Sequence, residues 1–145
     1  MKKILMAVLV GILALSANAA KIAGVTDKFG RDSQKREVRQ LFVTIEDSGP
    51  SYNLSMIIKV EDSKGNVFYG KTTRNWTWKS RVPKRFIKNG EVVVEGIPGA
   101  KIVAWKVIIT ANGLSVEKSK KPEELKPLEE GKDTAVLPMN IFEIN

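Results

Sequence analysis

Apolar residues recur at every second position through most of this chain, a period that gathers them on one face of an extended strand. Ser51–Glu61 is the clearest stretch. Tyr52, Leu54, Met56, Ile58 and Val60 fall on one face and Asn53, Ser55, Lys59 and Glu61 on the other, with Ile57 the one apolar residue out of phase. The segment 62–66, Asp-Ser-Lys-Gly-Asn, then supplies turn chemistry, because Asp and Asn bond locally to backbone and Gly accepts positive φ. Val67–Thr73 returns as the partner strand of a hairpin.

The same period marks further strands. Arg36–Glu46 places Leu41, Val43 and Ile45 on one face and Val38, Gln40, Phe42 and Thr44 on the other, and a turn at 47–50 ends it. Glu91–Glu95 holds three successive valines. Lys101–Thr110 alternates Val103, Trp105, Val107 and Ile109 with Ile102, Ala104, Lys106 and Ile108, and apolar residues on both faces predict a central strand with Trp105 in the core. Asn112-Gly113 is a strong hairpin signal leading into Leu114–Lys118. Pro122–Glu130 reads as a helix of a turn or two, interrupted by Pro127. Ala135–Ile144 reads as a final strand, with Pro138 marking an edge or bulge. Seven or eight short strands with no long helical period predict an all-β fold. An antiparallel β-sandwich of immunoglobulin-like or fibronectin-like arrangement comes first, a small barrel second.

The first twenty residues carry a different pattern. Lys2 and Lys3 precede an apolar run of twelve, Ile4–Leu15, which ends in the small residues Ala17, Asn18, Ala19 and Ala20. The run is too short to span a bilayer, which takes roughly 20 apolar residues, and the order of features is that of a bacterial signal peptide cut after Ala19 or Ala20. No cysteine follows to accept a lipid. The expectation is an exported protein, periplasmic or extracellular, with a leader at 1–20, one β-sandwich domain at 21–145 and no transmembrane segment in the mature chain.

The chain holds no cysteine and no histidine. Disulfides, thiolate nucleophiles, Ser-His-Asp triads and zinc sites with N/S ligands are therefore excluded. Two carboxylates suffice for glycoside hydrolysis, but Glu46, Asp47, Glu61 and Asp62 sit at strand ends or turns where solvated acids are the default. Residues 62–66 lack the ligands of a calcium loop, and no nucleophile or phosphate-cradling motif occurs. The expectation is a non-enzyme without cofactor or metal, a carboxylate-based hydrolase being the least favoured alternative.

The formal net charge is +8, falling to +6 once Lys2 and Lys3 leave with the leader. Lys71–Lys88 carries +7 without a single acidic residue, so the rest of the mature chain sums to −1. This segment holds Lys71, Arg74, Lys79, Arg81, Lys84, Arg85 and Lys88, with Trp76, Trp78 and Phe86 among them. Trp76 and Trp78 share a strand face. Exposed, they form a stacking platform flanked by guanidinium and ammonium groups suited to sulfate, phosphate or carboxylate. Buried, they are core residues, and Arg74, Lys79 and Arg81 form a solvated basic strip that protects a sheet edge. The candidate site is thus Lys71, Arg74, Trp76, Trp78, Lys79, Arg81, Lys84, Arg85 and Lys88. The expected partners are an anionic polysaccharide, lipid head groups or an acidic protein surface. Single-stranded nucleic acid suits such a mixture too, but export argues against it. A second expectation is an accessory module of the cell envelope that docks on another exported protein.

Overall fold

The computed structural model describes residues 20–31, 33–47, 51–77, 87–131 and 136–144, without the side chains at 76–77, 87–88 and 143–144. Nine strands run in chain order: β1 (Lys21–Arg31), β2 (Glu37–Glu46), β3 (Ser51–Glu61), β4 (Val67–Thr77), β5 (Ile87–Glu95), β6 (Lys101–Ala111), β7 (Leu114–Lys120), β8 (Val136–Leu137) and β9 (Ile141–Ile144). They form a four-stranded sheet ordered β1-β2-β5-β9 and a five-stranded sheet ordered β7-β6-β3-β4-β8. Every neighbouring pair is antiparallel except β4 and β8. Between β7 and β8 lie a 3-10 turn, Pro122–Leu125, and a single helical turn, α1 (Lys126–Glu129).

Alternation explains how the two sheets meet. Leu41, Val43 and Ile45 of β2, Val92 and Val94 of β5 and Ile141 of β9 share one buried cluster with Leu54, Met56, Ile58 and Val60 of β3 and Trp105, Val107 and Ile109 of β6. Each strand lends alternate residues to that cluster, so a shift of one residue would turn its apolar set to solvent. Trp105 is 9% exposed, opposite Ile58, and lies in the core. The expected faces of β6 hold only from Trp105 onward. Lys59 pairs with Ala104 and Val60 with Ile102, leaving Val103 as an extra residue. This bulge reverses the alternation, so Ile102 rather than Val103 joins the core.

Ile57, the residue out of phase, belongs to a second buried cluster with Tyr69, Ala104 and Leu125 on the outer face of the five-stranded sheet. The chain after β7 folds over that face and Leu125 closes it. Two ion pairs tether the lid, Lys59 Nζ to Glu124 Oε1 at 2.6 Å and Lys106 Nζ to Glu129 Oε2 at 3.2 Å. The hydrogen bond from Lys59, then its charge, holds the Glu124 carboxyl below its ordinary value, and the same hydrogen bond raises the Lys59 ammonium. A depressed carboxylate adds stability above its unfolded value and loses it as pH falls through the folded one; a raised ammonium adds stability below its unfolded value and loses it as pH rises through the folded one. The Leu125 methyl resonances should therefore hold their docked positions through the neutral range. They should shift with acid at a pH below the usual carboxylate value and with base above the usual lysine value; titration at the ordinary values would contradict the coupling.

At one end of the sheets the β3–β4 hairpin closes on Asp62, whose Oδ1 accepts hydrogen bonds from the backbone N–H groups of Lys64 and Asn66, each at 2.8 Å. Loss of water pushes the Asp62 carboxyl upward, but bonds from the Asn66 side chain and from both backbones outweigh it and hold the group below its usual value. The β5–β6 turn packs on this hairpin, with the Ser63 N–H donating to the Pro98 carbonyl at 3.1 Å. Gly99 makes the approach possible. Its φ is +66°, and a Cβ there would stand 2.9 Å from the Ser63 Cβ. Gly99→Ala is expected to cost about 1–2 kcal/mol from the left-handed backbone alone, read as a lower urea midpoint with unchanged slope.

The tail corrects one expectation. Ala135–Ile144 is not a single strand: β8 pairs with β4 in one sheet and β9 with β5 in the other. Pro138, which cannot donate to a ladder, begins the passage between them. Met139 fills the space left by the missing side chain of Gly70, where a Cβ would collide with its thioether. Nor did the alternation reveal β1, an edge strand carrying Gly24, Asp27, Lys28 and Gly30 and burying little of itself.

Candidate binding site

The basic segment starts in β4 and ends in β5, so it leaves one sheet and enters the other. Thr77 pairs with Ser51 at the beginning of β3, and Ile87 pairs with Glu46 at the end of β2. Both flanks therefore lie at the end of the molecule where β2 ends and β3 begins. The β6–β7 turn at Asn112-Gly113 lies there too, since Asn53 pairs with Thr110 and Ala111 with Leu114. The end of β2, the start of β3, the end of β4, the start of β5 and the β6–β7 turn thus lie at the end opposite the Asp62 hairpin.

The described site residues divide. Lys71 pairs with Ile57, placing it on the outer face of the five-stranded sheet, and it is exposed. Arg74, three positions on, pairs with Leu54 on the inward face. Because β4 lies near the open side of its sheet, the guanidinium reaches across to the other sheet, where Nη1 donates to the Ile141 carbonyl at 2.8 Å. Arg74 thus links β4 to β9 while remaining exposed. Close by, burial drives the Tyr52 hydroxyl well above its ordinary value, and the Arg74 charge opposes this without cancelling it. The backbone of Trp76 pairs with Tyr52 and that of Lys88 with Ile45. Trp78, Lys79, Arg81, Lys84 and Arg85 lie outside the described residues.

Acidic groups are placed unevenly around this end. Glu46 and Asp47 stand at the close of β2 beside the start of β5, whereas Glu61 and Asp62 lie at the far end of β3. Eleven residues of strand separate the two pairs by about 30 Å, so these four acids do not converge on one cleft. Among the described residues no group of three acids is placed to hold a metal ion, and no helix is long and apolar enough to cross a membrane.

Two features escaped the sequence. A cavity of about 270 Å3 opens beside the tail crossover, lined by Val93, Val94, Glu95, Pro138, Met139 and Phe142 among others. Near it Val136 and Phe142 are 58% and 49% exposed. Nothing in the tail's composition predicts that cavity, because it arises from the switch of sheets at Pro138. The outer face of the five-stranded sheet, away from Leu125, carries paired polar side chains, Asn53 with Asn75 and Ser55 with Thr73. Both asparagines stand in Asn-x-Ser/Thr sequences.

No family model matches the chain. No curated protein matches it. A crystal structure from Akkermansia muciniphila is similar over 83% of this chain and 80% of the other, with 9% sequence identity and a TM-score of 0.48.

Proposed function

We propose that this chain is an exported, non-catalytic β-sandwich that binds an anionic polysaccharide through the connection between β4 and β5. The observation that carries the reading is the position of the two flanks of the acid-free basic segment: they lie on different sheets, at the end of the molecule where β2 ends, β3 begins and β6 turns into β7. Loops at the end of a rigid sandwich are habitual binding elements. Lys79, Arg81, Lys84 and Arg85 supply the charge, with Lys88 at the margin and Trp78 as a stacking group for sugar rings; Trp76, whose backbone pairs with that of the core residue Tyr52, shares the register of Arg74. Lys71, exposed and facing outward from mid-sheet, and Arg74, exposed and bonded to the Ile141 carbonyl, lie at the chain-order margin of this surface. Export rests on the leader at 1–20 and implies a periplasmic or extracellular site of action. The finer immunoglobulin/fibronectin-like arrangement is supported by strand order, with β1-β2-β5 facing β7-β6-β3-β4. It differs from the constant-domain order in that the fourth strand joins the third rather than the fifth.

Retention on a sulfated polysaccharide matrix tests the function. It should fall steeply as salt shortens the screening length from about 30 to 10 Å, and a neutral matrix should retain little. Retention indifferent to salt, or none at low salt, would sink the reading. A second reading, an accessory module docking on another exported protein, is favoured by the exposed Val136 and Phe142 beside the tail cavity.

A further inference from the structure

We infer that the leader is cut between Ala19 and Ala20, so that Ala20 becomes the first residue of the folded chain and places its new α-ammonium group beside a cavity lined by two carboxylates and two lysines. This rests on the exported reading above and adds the bond. Two independent observations select it. The peptidase that removes such leaders reads small residues at the last and third-last positions before the cut. Ala17 and Ala19 meet that need for a cut after Ala19, whereas a cut after Ala20 would put Asn18 in the third-last place. The structure speaks separately. Ala20 is 5% exposed and belongs to the main core cluster, while Lys21 is exposed and pairs with Glu46. A residue that fills the core is part of the folded domain, and removing it would leave its place empty.

A cavity of about 440 Å3 opens between the edges of β1 and β7, lined by Ala20, Lys21, Ile22, Glu46, Glu117 and Lys118 among others. It has room for an ammonium group with its water, and Glu46 and Glu117 there balance the charges of Lys21 and Lys118. Hydrolysis adds one water across the Ala19–Ala20 amide. The carboxylate stays on Ala19 with the leader, and the amine on Ala20 takes up a proton.

The intact mass of the processed product, from the full 145-residue chain expressed in a bacterium, tests the inference. A chain of residues 20–145 is expected. A product beginning at Lys21 would overturn the inference and leave export standing, whereas an uncut chain of full mass would overturn both. Ala17→Leu and Ala19→Leu sharpen the result, since each blocks a pocket that only a cut after Ala19 requires. Either should accumulate as uncut precursor, and processing at the normal rate in both would contradict the assignment.

Discussion

Ile141→Ala is expected to cost about 2–4 kcal/mol of folding stability, the range for deleting a buried aliphatic side chain whose surroundings relax only in part. Ile141 is 2% exposed and is the contribution of β9 to the main core. β9 is four residues long, so a lost anchor has few neighbouring contacts to compensate for it. The Ile141 carbonyl also accepts the Arg74 bond that joins the sheets. Arg74→Ala should therefore destabilise as well, though less, because one partly exposed hydrogen bond contributes about 1 kcal/mol. The pair should be non-additive, since both changes loosen the same strand. Urea denaturation of the two single variants and the double variant checks this. A double loss equal to the sum of the singles would mean that Arg74 does not act through β9.

Replacing Lys79, Arg81, Lys84 and Arg85 together by glutamine should remove salt-sensitive retention on a sulfated polysaccharide while leaving the unfolding midpoint nearly unchanged. The change takes the Lys71–Lys88 segment from +7 to +3 and the mature chain from +6 to +2. Attraction between exposed charges and a polyanion follows charge density and is screened within about 10 Å at 0.1 M salt, so a loss of this size should weaken retention at low salt by tenfold or more. Replacing Lys118, Lys120, Lys121 and Lys126 by glutamine is the matching control. It removes the same charge from β7 and the turn beyond it, and a comparable loss would show that net charge alone drives retention. Arg74 is left out of the set because its loss would confuse binding with stability.

What the sequence revealed and what it hid follow from one physical distinction. Strands that give one face to the core and one to water write their period plainly, and Ser51–Glu61 emerges with the bounds its alternation predicts. The Asp62 turn is legible for a similar reason, its chemistry being local. Elements whose burial depends on distant chain are silent. β1 lies at an edge and packs only Ile22 and Val25 against the main core, so its polar and glycine residues read as loop. Ile57 and Ala104 look out of place until Leu125, some twenty residues beyond Ala104, covers them. The bulge at Val103 reverses a face without any glycine or proline to announce it. Within the candidate site, charge and position in the chain were legible. The opposite orientations of Lys71 and Arg74 follow from their odd spacing, whereas the reach of Arg74 to Ile141 depends on a strand sixty-seven residues away.

The most direct test of the binding account is a map of backbone amide shifts in the labelled protein as a sulfated oligosaccharide is added at low salt. Perturbations should concentrate between Trp76 and Lys88, with smaller ones at Asp47 and Asn112 at the same end, and should fade as salt is raised. Perturbations confined to Val93–Glu95 and Val136–Phe142, or to the outer face around Asn53 and Thr73, would place binding elsewhere and contradict the account.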